Sequence, residues 1–490
     1  MSRCYCHKKA GDRMSDVFRI AAGYILPHPP VIVPGVSREP HLAQRTVSAM
    51  RQLAAEVAAL QPETVVVISP HAPLFSDYVF FYDSKELAGD FGKFGARQAS
   101  LSFQQDDDLL HEISHRLASA DIDGGSLTSS QLRQHQIDET LDHGVLVPLW
   151  FMREKWTDFR LVAMSCSGLP LPELYRVGEL IRQAAARLNR RILIIASGDQ
   201  SHKVNDSSPY GACPEGAAYD NQLIDCLRRN DLTDVLAIDS HLRERAAECG
   251  YRSIVILCGA LNRQAVRAEV LNYEAPYGIG YCVAALRPDL VQAEPVEDAM
   301  QSALKQQRQA AAHKRQHSSP PVIIARETLE AHVLKQQAKS ARDFAGLPDS
   351  AFLFRERAGV FVSLKKFGEL RGCIGTTAPT TACIADEIIQ NAVSAGCHDP
   401  RFPPVSADEL ADLVYSVDVL GEPEPVTDRN QLDVKRYGVI VRFNGRSGLL
   451  LPDLEGVDTV DEQLSIACRK AGINPREKYQ IQRFEVTRHT

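Results

Sequence analysis

No apolar run in this 490-residue chain approaches the ~18 to 20 residues that a membrane-spanning helix needs. The opening MSRCYCHKKAGDRMSD is polar and basic without an apolar h-region, so it does not read as a secretory signal. A cytoplasmic protein that avoids membranes is the expectation. Cationic excess is missing too. The formal net charge is −7, which argues against broad binding to phosphate backbones and makes nucleic acid an unpromising partner. No disulfide framework is legible: the twelve cysteines are scattered, and Cys166, Cys258 and Cys282 lie in apolar runs where free thiols pack as small hydrophobes. The Cys4-Tyr-Cys6-His7 cluster lacks a second ligand pair, so residues 1–17 are expected as a loosely ordered tail rather than a metal site. No internal repeat is found.

What the chain does contain is an ordinary globular balance, 44% hydrophobic and 24% charged, long enough for two or three domains. The organising stretch is VVVISPHAP, Val65 to Pro73. A β-branched run long enough for a buried strand ends in His71 between two prolines, at the end of a strand where open α/β sheets bind ligands. The run Phe18 to Leu26 ends the same way, in Pro27-His28-Pro29-Pro30, and a helical segment from about His41 to Leu60 separates the two. Strands and helices then alternate. Strands are expected at Tyr78–Asp83, Phe159–Ser165, Arg191–Ser197, Ser253–Leu257 and Gly280–Leu286. A glycine-bearing aromatic loop, Leu87 to Phe94, is placed at a pocket's border. Polar helix begins near Asp106, and Pro172–Asn189, Pro214–Arg229 and Ala237–Glu248 also read as helices. This alternation predicts an α/β domain over residues 18–290, a mainly parallel sheet with helices on both faces.

Composition shifts near Pro288. A Gln/Ala/Lys-rich arm and the Pro-Pro break at Pro320 make residues 291–320 a linker. Residues 321–490 then predict an α+β domain, with helices over 323–338, 381–395 and 461–471. Its strands are expected at 359–365, 369–374, 414–420, 437–443 and 448–451.

His28, His71, His143 and His202 stand beside turns or at strand ends, and together they point to one cluster at one end of the sheet. Two neutral imidazoles with a carboxylate bind Fe(II) on one face and leave positions for a chelating substrate and O₂. Pro27-His28-Pro-Pro, Ser69-Pro-His71-Ala-Pro, Leu141-Asp-His143-Gly, Ser197-Gly-Asp-Gln-Ser-His202 and Cys258-Gly-Ala-Leu261 resemble, in that order, the LigB-like domain of the class III extradiol dioxygenases. The resemblance implies that His28 and His71 ligate a non-haem Fe(II), or another divalent metal. It also implies that His202 is the acid/base histidine, and that His143 steers substrate or oxygen. For the third ligand it points to Glu248, with Glu244 one turn earlier and Cys249 beside it as alternatives. Related Memo-like proteins use a cysteine in this region, and a thiolate there would favour copper or another redox role. His202, on the polar loop Gly198-Asp-Gln-Ser, is expected to be mobile and to titrate near ~6.5.

In the second domain, Leu370-Arg371-Gly-Cys373-Ile-Gly375, Asp399-Pro-Arg401-Phe-Pro-Pro404 and Gly448-Leu-Leu-Leu-Pro452 resemble the AMMECR-type domain, also called AmmeMemoRadiSam system protein A. Arg371 and Cys373 form a possible second site, for an anion and as a nucleophile. A buried strand end with a structural cysteine explains them as well. The expectation is therefore an Fe(II)-dependent extradiol-type oxidoreductase of a catechol-like aromatic and O₂, forming a homo-oligomer. The alternative is a metal-binding accessory component that works with a radical-SAM protein without cleaving rings.

Overall fold

The computed structural model describes residues 19–36, 40–289, 296–454, 457, 459–474 and 477–490. The tail expected over 1–17, with its Cys4-Cys6-His7 cluster, and residues 291–295 of the linker lie outside them. The chain divides into two compact units between Ala303 and Leu304, inside the helix Ala299–Gln316. No helix among the described residues is long and apolar enough to cross a membrane.

The first unit is built on six strands: β1 (Ile20–Leu26), β2 (Thr64–Ser69), β3 (Arg160–Ser165), β4 (Ile192–Ser197), β5 (Val266–Glu274) and β6 (Tyr281–Pro288). Their order is β3-β2-β4-β1-β6-β5, with β3, β2, β4 and β1 mutually parallel and β6 and β5 antiparallel at one edge. The sequences TVVVIS and ILIIAS are buried at every position, as β-branched strands covered on both faces should be. Crossovers are made by helices α1 (Gln44–Leu60), α2 (His143–Arg153), α3 (Leu171–Arg187) and α4 (Tyr251–Ala260).

Two expectations fail in this unit. Ser253–Leu257 is not a strand but lies inside α4, buried all round. A short apolar run does not by itself distinguish a buried strand from a buried helix. Here Gly259 decides: a Cβ there would meet the Tyr175 carbonyl oxygen at 1.9 Å, so α4 can lie backbone-close on α3 only with glycine at that position. The segment Leu87–Phe94 is not a loop. It is the strand Glu86–Phe91, paired antiparallel with Ala96–Gln104, and only Gly92–Phe94 remains as a turn at the hairpin tip.

The second unit carries seven antiparallel strands: β7 (Val360–Lys366), β8 (Glu369–Gly375), β9 (Leu413–Leu420), β10 (Glu424–Val426), β11 (Tyr437–Phe443), β12 (Arg446–Leu450) and β13 (Gln480–His489). The order is β8-β7-β9-β13-β11-β12, with β10 also on β13. Helices α5 (Pro320–Val333) and α6 (Ile384–Cys397) share one core with β7 and β9, and α7 (Val460–Ala471) shares another with β11 and β12. β13, which joins β9 to β11, was not expected from sequence. Its QIQRFEVTRH mixes charge into both faces.

Candidate metal centre

Each of the two leading histidines stands just beyond a strand: Pro27 separates His28 from β1, and Pro70 separates His71 from β2. β4 lies between β1 and β2, so Ser197, its last residue, sits between the two loops. Helix α2 fixes this serine's role. Pro148 inside α2 has no N–H to offer the carbonyl four residues earlier, that of Gly144. Ser197 Oγ donates to that carbonyl instead, at 2.5 Å, and lies 3.0 Å from His28 Nδ1. A serine hydroxyl has one proton to give. The ring nitrogen must then be the donor, so His28 is protonated on Nδ1 and presents a bare Nε2 lone pair. Its backbone is held as well, through N–H donation to Asp199 Oδ1 at 2.9 Å.

That bare Nε2 faces His71 Nε2 at 3.0 Å and Cys249 Sγ at 3.6 Å. The three donor atoms lie within 4.8 Å of one another. An ion ~2.1 Å from imidazole nitrogen and ~2.3 Å from thiolate sulfur sets the N–N edge at about 3.0 Å for a right angle and the N–S edge at about 3.6 Å for a tetrahedral one. Both edges from His28 match a shared ion, and two imidazoles with a thiol are a donor set that fits a divalent metal.

Cys249 reaches this position through a backbone contact. A Cβ on Gly198 would meet the Cα of Gly250 at 2.0 Å, so the loops after β4 and before α4 touch only because glycine stands there. Asp199 N–H then donates to Cys249 Sγ at 3.3 Å. Glu248, the expected third ligand, is not in the cluster. Its Oε2 accepts the Tyr251 N–H at 2.6 Å, satisfying one of the orphan donors at the start of α4. Glu244, the other carboxylate considered, lies one helix earlier, in Ser240–Ala246, and is likewise outside the cluster.

His143 opens α2. Its neighbour Asp142 accepts from Gly144 N–H (2.7 Å), Ser69 Oγ (2.6 Å) and Tyr82 OH (3.0 Å), while Ser69 Oγ accepts the His71 N–H at 3.1 Å. One network thus ties the His71 backbone to the start of α2. The His143 ring lies 4.1 Å from that of His71 and 5.3 Å from that of His28, centroid to centroid. His202 lies within electrostatic reach of His28 and His71 and stacks on Tyr210 at 5.4 Å. Three of the four histidines singled out in the sequence, His28, His71 and His143, therefore meet at one place, with His202 near enough to act on them electrostatically.

Burial, and then the neighbouring imidazoles, hold His28 well below the usual histidine range. His71 keeps an exposed edge, yet desolvation of the rest of its ring lowers it against the pull of Asp142. Burial and the field of His71 bring His143 and His202 each down to about 4. This corrects the expectation for His202. Its loop is not mobile, because Asp199, Gln200 and Ser201 are buried and hydrogen-bonded, and the ring does not titrate near neutrality. At pH 7 it is a proton acceptor. Burial, followed by Asp199 and Glu248, pushes the Cys249 thiol well up, so it stays protonated until a cation replaces the proton.

In the second unit, Arg371 grips Glu409 through Nε (3.0 Å) and Nη2 (2.9 Å), and Lys366 joins at 2.9 Å. With 12% of the Arg371 side chain exposed, little of the guanidinium is left for an anion from solution. Burial opposes it, but these two cations hold Glu409 at about 2. Cys373 accepts from Ser363 Oγ at 3.2 Å, and its backbone N–H donates to Asp399, which Arg401 clamps at 2.7 Å. These contacts tie Arg371 and Cys373 into the strand end, while Arg371 Nη1 is buried without a hydrogen-bond partner among the described residues.

Residues 22–284 match the family described as "Catalytic LigB subunit of aromatic ring-opening dioxygenase", and residues 322–489 match AMMECR1. Protein CA_C1420 of Clostridium acetobutylicum is 38% identical over 471 residues, 95% of this chain and 98% of its own. A Thermotoga maritima protein is 58% identical over 139 residues, 28% of this chain and 80% of its own. Among solved structures, uncharacterized protein PH0010 from Pyrococcus horikoshii is 30% identical, covering 34% of this chain and 88% of its own with a TM-score of 0.31. Uncharacterized protein JW3007 from Escherichia coli K12 is 14% identical, covering 55% and 99% with a TM-score of 0.35.

Proposed function

Because this chain belongs to the family of the catalytic LigB subunit of aromatic ring-opening dioxygenases, here joined to an AMMECR1 domain, we propose that its first unit is a metal-dependent oxidoreductase acting on a chelating, catechol-like aromatic with O₂. The observation that carries the proposal is the convergence of His28 Nε2, His71 Nε2 and Cys249 Sγ. A divalent first-row ion held there, Fe(II) in the ring-cleaving reading, supplies a Lewis acid for vicinal oxygens and a redox partner for O₂. His28 is kept in the ligating tautomer by Ser197, and Asp199 fixes its backbone. His202, neutral at pH 7, takes a substrate hydroxyl proton on a ring nitrogen. His143, pinned by Asp142 at the start of α2, orients the substrate beside His71.

Cys249 favours a second reading. A thiolate where the two-histidine iron oxygenases carry a carboxylate suits copper or zinc better. The unit would then be a metal-binding component without ring cleavage, serving a radical-SAM partner. The experiment that separates the two is anaerobic Fe(II) loading followed by a panel of catechols in air. A yellow ring-opened chromophore with stoichiometric O₂ uptake supports the dioxygenase. Retained metal with neither signal leaves the second reading.

A further inference from the structure

The helix Ala299–Gln316 is anchored along one face. Arg308 forks onto Asp412 at 2.6 and 3.0 Å, Arg315 donates to the Leu410 carbonyl and pairs with Glu330 at 3.5 Å, and Ala311 on the same side is buried. At 3.6 residues per turn, positions 313 and 317 fall on the opposite face, four residues apart and one above the other. Both carry histidine, and both histidines are exposed.

The end of this helix fixes the tautomer of one ring. The last four carbonyls of a helix have no helical N–H to accept from, and two of them are capped here by side chains: Ser318 Oγ donates to the Lys314 carbonyl at 3.0 Å, and His317 Nδ1 lies 2.9 Å from the His313 carbonyl. A carbonyl can only accept. A ring carrying one proton therefore has it on Nδ1, and His317 presents Nε2 as a bare lone pair, the ligating form. The His313 and His317 rings lie 4.4 Å apart, centroid to centroid, with their planes tilted by 34°. An ion ~2.1 Å from both Nε2 atoms, bound at adjacent positions, sets the centroids about 4.5 Å apart. The rings of His28 and His71 in the metal centre stand at 4.7 Å. The negative end of the helix dipole adds a field that favours a cation in this last turn.

We propose that His313 and His317 form a surface metal site, a bidentate imidazole pair that takes up a divalent first-row ion, Cu(II) ahead of Ni(II) and Zn(II). Mg(II) and Ca(II), which take oxygen ligands, are passed over. No third His, Cys, Asp or Glu ligand atom joins the pair among the described residues. The ion keeps its remaining positions for water or a small chelating ligand and exchanges readily, unlike one held by three converging donors. This site does not depend on the reading given to the first unit.

The test uses Cu(II)–iminodiacetate on the full chain. This chelate leaves two adjacent positions free for imidazoles and is too bulky to reach His28, which is 2% exposed. Electron spin-echo spectra should show two directly bound imidazoles on one copper per chain. His313→Ala and His317→Ala should each weaken uptake by at least ~10²-fold, because the second imidazole no longer binds intramolecularly, with helix content by circular dichroism unchanged. Ala312→His combined with His313→Gln keeps the number of imidazoles but turns one off the face, and should weaken uptake equally. His28→Ala should change nothing. A spectrum with a single imidazole overturns the chelate, as does uptake within twofold of the parent in either alanine variant or in the permuted one. Loss of uptake in His28→Ala would place the copper in the first unit and overturn the site as well.

Discussion

Ser197→Ala deletes one hydroxyl from a fully buried position. Two groups lose their partner at once: the Gly144 carbonyl, already without a helical donor because of Pro148, and His28 Nδ1–H. An orphaned buried carbonyl costs ~1 to 3 kcal/mol of folding stability. The imidazole loses more than a bond, because nothing then holds its proton on Nδ1, and the tautomer protonated on Nε2 cannot ligate. Loss of such an outer partner costs ~10- to 100-fold in metal affinity, or about 1.4 to 2.7 kcal/mol. The assay is a competition titration of Zn(II) against a chromophoric chelator, run beside urea unfolding of the metal-free protein. A variant that is destabilised but binds zinc within twofold of the parent would refute the tautomer argument while leaving the packing argument intact.

Cys249→Ser should weaken metal binding by at least ~100-fold and remove the proton released on binding at pH 7. Glu248→Ala should keep the metal and lose only the ~1 to 2 kcal/mol of a helix cap, as metal analysis and melting temperature will show. The pH dependence of the metal-free protein has two opposed contributions. His143 and His202, at about 4 when folded, bind fewer protons than the unfolded chain between about pH 6.5 and 4, so their contribution is lost as pH falls through that window. Asp199 is raised to about 7 by burial, against the His28 N–H, so its contribution, full below about pH 4, is lost progressively as pH rises from there to about 7 and offsets part of the histidine slope. Between about pH 4 and 6.5, His202→Gln should therefore make a melting-temperature profile rise less with pH and Asp199→Asn make it rise more. In the second unit, Glu409→Ala strands the largely buried Arg371. Urea unfolding should show a loss of about 3 to 5 kcal/mol, with metal content untouched.

Much of the site was legible because it hangs on strand ends. Continuous β-branched runs announced β1, β2 and β4, and the prolines placed His28 and His71 just beyond them. The third donor was not. Glu248 and Cys249 are adjacent, and which one faces the histidines depends on a contact between Gly198 and Gly250, 52 residues apart in sequence. The Pro148–Gly144–Ser197–His28 relay was equally hidden, although the proline inside an apolar helical run was its visible trace. Propensity misread Ser253–Leu257, whose β-branched residues serve a helix pressed against α3. β13 was missed because it carries charge on both faces, so no alternation marks it.

X-ray absorption at the K edge of the metal that co-purifies with the full chain is the most direct measurement of the centre. Two nitrogen scatterers at ~2.0 to 2.1 Å and one sulfur at ~2.3 Å, with the sulfur shell lost in Cys249→Ser, are the expected result. A shell of nitrogen and oxygen alone, unchanged in that variant, would contradict the His28–His71–Cys249 centre.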